Sequence, residues 1–382
     1  MRTSAVLLCI VLLSIRLVLG VEANAGTTPF ANKRAIFDGD IGLWTNKEEI
    51  GLRLQRIKDA GFNVYMPAVW QGRGTTWPSR YAPWDFTLTT PMDQAYDPLR
   101  YAIAKAHELG LEVHPWFTLT LRWNETFMPE FGLEGVAEGP HAAFDVHNPS
   151  FREFMTNVVR EVVANYDVDG LNLDFGRAIG LCRSEACQQE YRTMYNRNLT
   201  LDALTFKLSP KQVPTLIEYQ EKAVTALIKS ITDAARKLKP TVLISADGHP
   251  ELTRYEQGQN SLDWVNKGMV DVVLQMDYHP TINITASDTV RSQMTNPKAL
   301  TLLISNMAHG ADLAPNQKPF ARSGQWLAST ITSIAARWPD TGVAVYFYKY
   351  LTDEQISALR TGPFQADRKP PARMDPPTVT TK

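Results

Sequence analysis

The chain has 382 residues with 39 Lys+Arg against 40 Asp+Glu, a net charge of −1, and 44% hydrophobic and 21% charged residues. This length and balance suit a large folded core and exclude a disordered or fibrous chain. Near-neutral charge also removes any bulk attraction to nucleic acid or anionic membranes.

The first residues carry Arg2, an apolar stretch from Ala5 to Ile15, and a small-x-small site at Ala23-Asn24-Ala25. This pattern predicts a secretory signal peptide over residues 1–25, because the apolar stretch is too short to span a bilayer. A secreted or periplasmic location follows as an expectation. Cys9 would leave with the leader. The two remaining cysteines, Cys182 and Cys187, are spaced to close a small local disulfide in an oxidising compartment.

Downstream, eight apolar runs read as strands: residues 34–38, 62–70, 111–119, 170–175, 242–247, 270–278, 300–306 and 343–350. Such unbroken runs suit strands buried on both faces of a parallel sheet. Helix punctuation falls between them. Asn46 with Glu49 resembles a capping box, and Gly61 closes that segment. Asp97-Pro98 and Asn148-Pro149 each place a cap before a proline at the first helical position, and a long helix is expected over 216–238. The pattern predicts an α/β fold, a (β/α)8 TIM barrel over residues 26–362 with long insertions after strands two, three and four. Residues 363–382, rich in proline, read as a disordered tail. An open doubly wound sheet is disfavoured, because Phe37-Asp38-Gly39-Asp40 is no glycine-rich phosphate turn.

Barrel enzymes place catalytic groups at the carboxyl ends of strands. Asp174 ends strand four, Asp247 lies at the end of strand five, and Asp277, Tyr278 and His279 finish strand six. Carboxylates converging from separate strands are what glycosidic cleavage uses: one stabilises the anomeric centre while another protonates the leaving oxygen. Asp174 is the expected nucleophile or stabiliser and Asp277 the expected acid/base, with Asp247 able to substitute for either. Trp70, Arg73, Trp77, His114, Trp116, Tyr278 and His279 are the expected sugar-binding residues, since aromatic faces stack on sugar rings and guanidinium groups bond hydroxyls. The structural alternative is an ordinary rim carboxylate at Asp174 and a loop core built from the tryptophans.

These residues also resemble a family. Gly72-Arg73-Gly74, Trp77-Pro78-Ser79 and Ala82-Pro83-Trp84 are similar to a loop of the glycosyl-hydrolase-like family 10 domain. So are Tyr96-Asp97-Pro98-Leu99, the stretch from Ala106 to His114, Trp116-Phe117, Asn148-Pro149, the stretch from Tyr166 to Gly170, Asp174, and the segment from Trp264 to Tyr278. The resemblance implies a TIM barrel and cleavage of a carbohydrate. A weaker likeness links Asp169 to Gly176 and Met276-Asp277-Tyr278 with family 18 chitinases, whose acid would be a glutamate where Gly176 stands.

Three function classes are therefore compared. A secreted glycoside hydrolase leads, followed by a carbohydrate-binding barrel without catalysis. A metal-dependent hydrolase using Asp38, Asp40, His114, Asp174, His249 and His279 comes last, because no His-x-His or His-Glu-x-x-His pattern is present. The expected partner is a carbohydrate, with no cofactor, no metal, no nucleic acid and no stable membrane insertion, and the chain is expected to be a monomer.

Overall fold

The computed structural model describes residues 29–39, 46–88, 96–134, 142–209, 213–251 and 257–365. The expected leader, Asp40 and most of the expected tail lie outside these residues. Among the described residues, no helix is long and apolar enough to cross a membrane.

Eight parallel strands close into a barrel, the first pairing with both the second and the last. Strand one is Arg34–Asp38, strand two Val64–Trp70, strand four Gly170–Asp174 and strand five Leu243–Gly248. Strands six, seven and eight are Val272–Asp277, Leu300–Ser305 and Val343–Tyr346. Strand three is broken into Glu112–Val113 and Trp116–Thr118. Pro115 sits in the gap, where it cannot donate a ladder bond, and its carbonyl accepts from the Asn172 amide at 2.9 Å. The expected strands are all present; strand eight is shorter, turning into a helical turn at Tyr348–Tyr350.

The helical punctuation acts as expected. Asn46 caps Lys47–Asp59, Asp97 caps Pro98–Glu108 and Asn148 caps Pro149–Asn165, each through its side-chain oxygen. The long helix is Pro214–Leu238. These helices lay apolar stripes (Val158 and Val162, Leu227 and Ile231) on the outside of the barrel.

Strand register divides each strand into an inner and an outer face. Asn172 pairs with Ser245, Ser245 with Val272, Met276 with Leu303, and Leu303 with Ala344, so these side chains share the interior. Asp277 pairs with Ile304, Ile304 with Val345, Val345 with Ile36 and Ile36 with Tyr65, the face toward the helices. This alternation decides which rim residues can meet.

Insertions crown the carboxyl ends. A ribbon of Leu121–Arg122 with Ala142–Ala143 follows strand three. Helices Glu185–Tyr195 and Leu199–Leu208 follow strand four and enclose a second small core of Cys182, Cys187, Tyr191, Leu199, Val213, Leu216 and Tyr219. Cys182 and Cys187 are joined as a disulfide within it. A further ribbon, Met307–Ala308 with Phe320–Ala321, rises after strand seven, where no insertion was expected.

Candidate active site

Asp174 ends strand four on the inner face. Its Oδ1 accepts the Phe175 amide at 2.6 Å and its Oδ2 accepts the Trp116 indole Nε1–H at 3.0 Å. Phe175 adopts φ 49°, a left-handed turn immediately after the acid. Asp247, next door on strand five, also faces inward, and its Oδ1 accepts from Asn172 Nδ2 at 2.7 Å. Both acids are nearly sealed, 8% and 2% exposed.

Burial pushes both carboxyls above the usual range, because a charge loses more hydration than a neutral group. For Asp174 the Phe175 amide, Arg177 and the Trp116 indole oppose that rise. For Asp247 the negative charge of Asp174 adds to burial, and only Asn172 opposes it, so Asp247 is held well above. Two carboxyls that sense each other in a buried site do not both ionise readily. Of the two, Asp174 has the more groups opposing the rise and Asp247 the fewer.

Aromatic rings wall this pair. Tyr278 stacks on Tyr346 with ring centres 5.5 Å apart, and Tyr346 meets Trp116 edge-on at 6.2 Å. Phe37 packs edge-on against Trp116 at 5.1 Å. The Tyr278 hydroxyl is pushed to higher pKa by burial and then by the charges of Asp247 and Asp174. Arg177 contributes positive charge near Asp174.

The other expected site residues lie elsewhere, for identifiable reasons. Asp277 points outward. Its carboxylate accepts the amides of Asn283 at 2.9 Å and His279 at 3.3 Å, together with a 3.0 Å contact to His279 Nδ1. It organises the turn before helix Ile284–Ser292, and parity along strand six gives the interior to Met276 and Tyr278 instead. The His279 side chain is 79% exposed beside it. His114 is fully buried at the opposite end of the barrel, edge-on to Phe30 and bonded to Glu112 at 3.1 Å. A Cβ on Gly170, the first residue of strand four, would stand 2.7 Å from the His114 ring.

Trp70 faces the helices, stacked on Phe144 and edge-on to Phe154. Trp77 donates its indole N–H to Glu161 at 2.9 Å, and Glu161 also takes the Ser79 hydroxyl and the Arg80 amide, tying this loop to helix Pro149–Asn165. Arg73 is paired with Asp85 at 2.7 Å and lies over the Trp123 ring. Of the expected sugar-binding set, Trp116 and Tyr278 are the two beside the acids. Asp38, one of the metal-ligand candidates, faces outward and is held by Arg53 at 2.6 Å and the Tyr65 hydroxyl at 2.9 Å.

Three site residues escaped the sequence reading: Asn172, Phe37 and Tyr346. Each lies at even spacing from a residue of the inner face, Asn172 two before Asp174 and Tyr346 two after Ala344, and that periodicity was the available signal. Gly176 answers the chitinase comparison. A Cβ there would point 3.3 Å from Ile228 and 3.4 Å from Trp264, into the layer behind the sheet. A glutamate side chain on this backbone would start away from the cleft. A separate hollow at the barrel's other end, lined by Lys33, Arg34, Ile334, Val343 and Phe364 among others, has no carboxylate in its wall and lies where strands one and eight begin.

Solved structures sharing the fold include the PgaB (BpsB) glycoside hydrolase domain from Bordetella bronchiseptica, with a TM-score of 0.62 and 10% identity over 85% of this chain and 95% of that one. The catalytic domain of a β-amylase from Paenibacillus polymyxa aligns with a TM-score of 0.58 and 12% identity, covering 89% of this chain and 99% of that one. In sequence, the chain is 22% identical over 264 residues to the glycosyl hydrolase DigH of Escherichia coli K12, covering 60% of this chain and 57% of that protein. It is likewise 22% identical over 268 residues to the glycosyl hydrolase YngK of Bacillus subtilis 168, covering 62% of this chain and 50% of that protein. The match thus spans about half the length of these relatives. The family model described as glycosyl hydrolase-like 10 matches residues 38–320, most of the barrel and its insertions, and on that match the chain belongs to the glycosyl hydrolase-like 10 family.

Proposed function

We propose that this chain is an exported glycoside hydrolase in which Asp174 and Asp247 carry the chemistry. The observation behind the reading is a pair of buried, mutually sensed carboxyls on neighbouring strands, one backed by two N–H donors and the other by a single amide. Unequal environments are what separates a carboxylate from a carboxylic acid at one pH. Asp174, the anion, faces the anomeric carbon as nucleophile or stabiliser of the oxocarbenium-like transition state. Asp247, the neutral partner, protonates the leaving oxygen. Tyr278, Tyr346 and Trp116 form the ring-stacking wall of the sugar site. The Cys182–Cys187 disulfide and the leader-like first 25 residues favour an extracytoplasmic setting.

Purified protein incubated with a panel of neutral and amino-sugar polysaccharides should release new reducing ends. Asp174→Asn and Asp247→Asn should each lower that release by about a thousandfold or more while keeping the native circular dichroism. Binding of glycan without release by the wild type would instead assign the chain as a carbohydrate-binding barrel. Unfolding of Asp174→Asn would return that residue to a structural role.

A further inference from the structure

Asn172 is fully buried, two residues before Asp174, and its register partner Ser245 is two residues before Asp247. Their side chains form a directed series. The Ser245 hydroxyl donates to the Leu171 carbonyl at 3.1 Å, so its one hydrogen is committed and its oxygen can only accept. Asn172 Nδ2 donates to that oxygen at 3.0 Å and, with its second hydrogen, to Asp247 Oδ1 at 2.7 Å. Turned over, the amide would set its carbonyl oxygen against the lone pairs of Ser245. The observed orientation is kept even though it leaves Asn172 Oδ1 buried without a donor.

On the reading of Asp247 as the acid, we infer that Asn172, oriented by Ser245, is a positioning residue that fixes which oxygen of Asp247 carries the proton. Oδ1 receives an N–H, and in a neutral carboxyl the carbonyl oxygen is a better acceptor than the hydroxyl oxygen. The proton of the neutral carboxyl therefore sits on Oδ2. An acid confined to one oxygen presents its proton in one direction, whereas an unconfined one spends part of its population aimed into the sheet. Strand register builds this in, because the two residues that set the acid's orientation lie one step below the two acids on the same inner face.

The test uses Asn172→Leu, which keeps the branched shape and removes the donor, and Ser245→Ala, which frees the amide to turn. Infrared difference spectra locate the neutral Asp247 carbonyl as the band lost in Asp247→Asn. In Asn172→Leu that band should move to higher frequency, since Oδ1 no longer accepts a bond, and in Ser245→Ala it should divide into two. The same Asn172→Leu variant should lose roughly 10- to 100-fold in kcat with little change in KM. Its alkaline limb should move to higher pH, because the carboxylate form has lost a donor. A folded Asn172→Leu protein with unmoved band and limb overturns the assignment. If that variant does not fold, a single unshifted band in Ser245→Ala overturns it equally. Should the bands move while the wild type cleaves no glycan in the panel, the positioning stands and the hydrolase reading fails by itself.

Discussion

The indole N–H of Trp116 reaches Asp174 Oδ2 across 3.0 Å, so strand three supplies the hydrogen bond that steadies the carboxylate of strand four. Trp116 pairs in register with Asn172, and its long side chain spans the step up to Asp174. Trp116→Phe keeps a ring against Phe37 and Tyr346 but removes the donor. Asp174 then ionises less readily, and a group that must be ionised to act loses activity from a higher pH downward. The acidic limb of the pH–rate profile should move up by about one pH unit, with kcat/KM at low pH falling roughly tenfold.

Asp277 offers a contrast within one strand-end pair of acids. Its carboxylate serves the Asn283 and His279 amides, not the cleft. Asp277→Ala should lower stability by about 1–2 kcal/mol through the lost turn bonds and change kcat less than tenfold, whereas Asp247→Ala should abolish turnover. Thermal melts beside steady-state kinetics on the two variants separate these outcomes.

Asp145 is a buried acid outside the proposed chemistry. Burial raises it to about 6, opposed by the His147 amide and Arg152. Between roughly pH 4 and 6 the unfolded chain has released a proton that the folded chain still holds, so this group's contribution to stability declines as pH rises through that window. Asp145→Asn should remove the decline and gain on the order of 2 kcal/mol relative to wild type at pH 7, with no relative gain at pH 4. Denaturant titrations at the two pH values provide the comparison.

Phe86 is 54% exposed at the rim and packs edge-on to Trp123 at 6.4 Å, with Arg73 over the same indole. In the hydrolase reading this pair offers a stacking surface to the outer residues of a long glycan. Phe86→Ala should raise KM about fivefold for long oligosaccharides, corresponding to about 1 kcal/mol, and leave short ones unchanged. Equal effects on both lengths would argue against an outlying surface.

The barrel was legible because its strands are apolar runs and its helices carry explicit caps at Asn46, Asp97 and Asn148. Asp174 and Asp247 were legible as strand ends. The phase of strand six was not. Asp277 and Tyr278 are adjacent, and only pairing with Leu303 and Ile304 decides which one faces inward. Trp70 and Trp77 read as cleft aromatics because a ring that stacks on sugar and a ring that fills a core have the same composition. What separates them is Phe144 and Glu161, contacts made 74 and 84 residues away. His114 failed for a different reason: strand three starts so close before it that the residue belongs to the barrel floor.

Phe175 holds a backbone conformation that a β-carbon disfavours, and it does so immediately after the residue on which the chemistry is proposed to depend. Replacement by glycine would relieve about 1 kcal/mol of strain in that turn, offset in part by the lost ring contact with Arg177. It would also loosen the backbone that follows Asp174, whose carboxylate accepts the residue-175 amide. A tougher molecule with a blunter catalyst is the outcome to anticipate, and a search for heat-resistant variants of this chain would select such changes at position 175 while turnover declines.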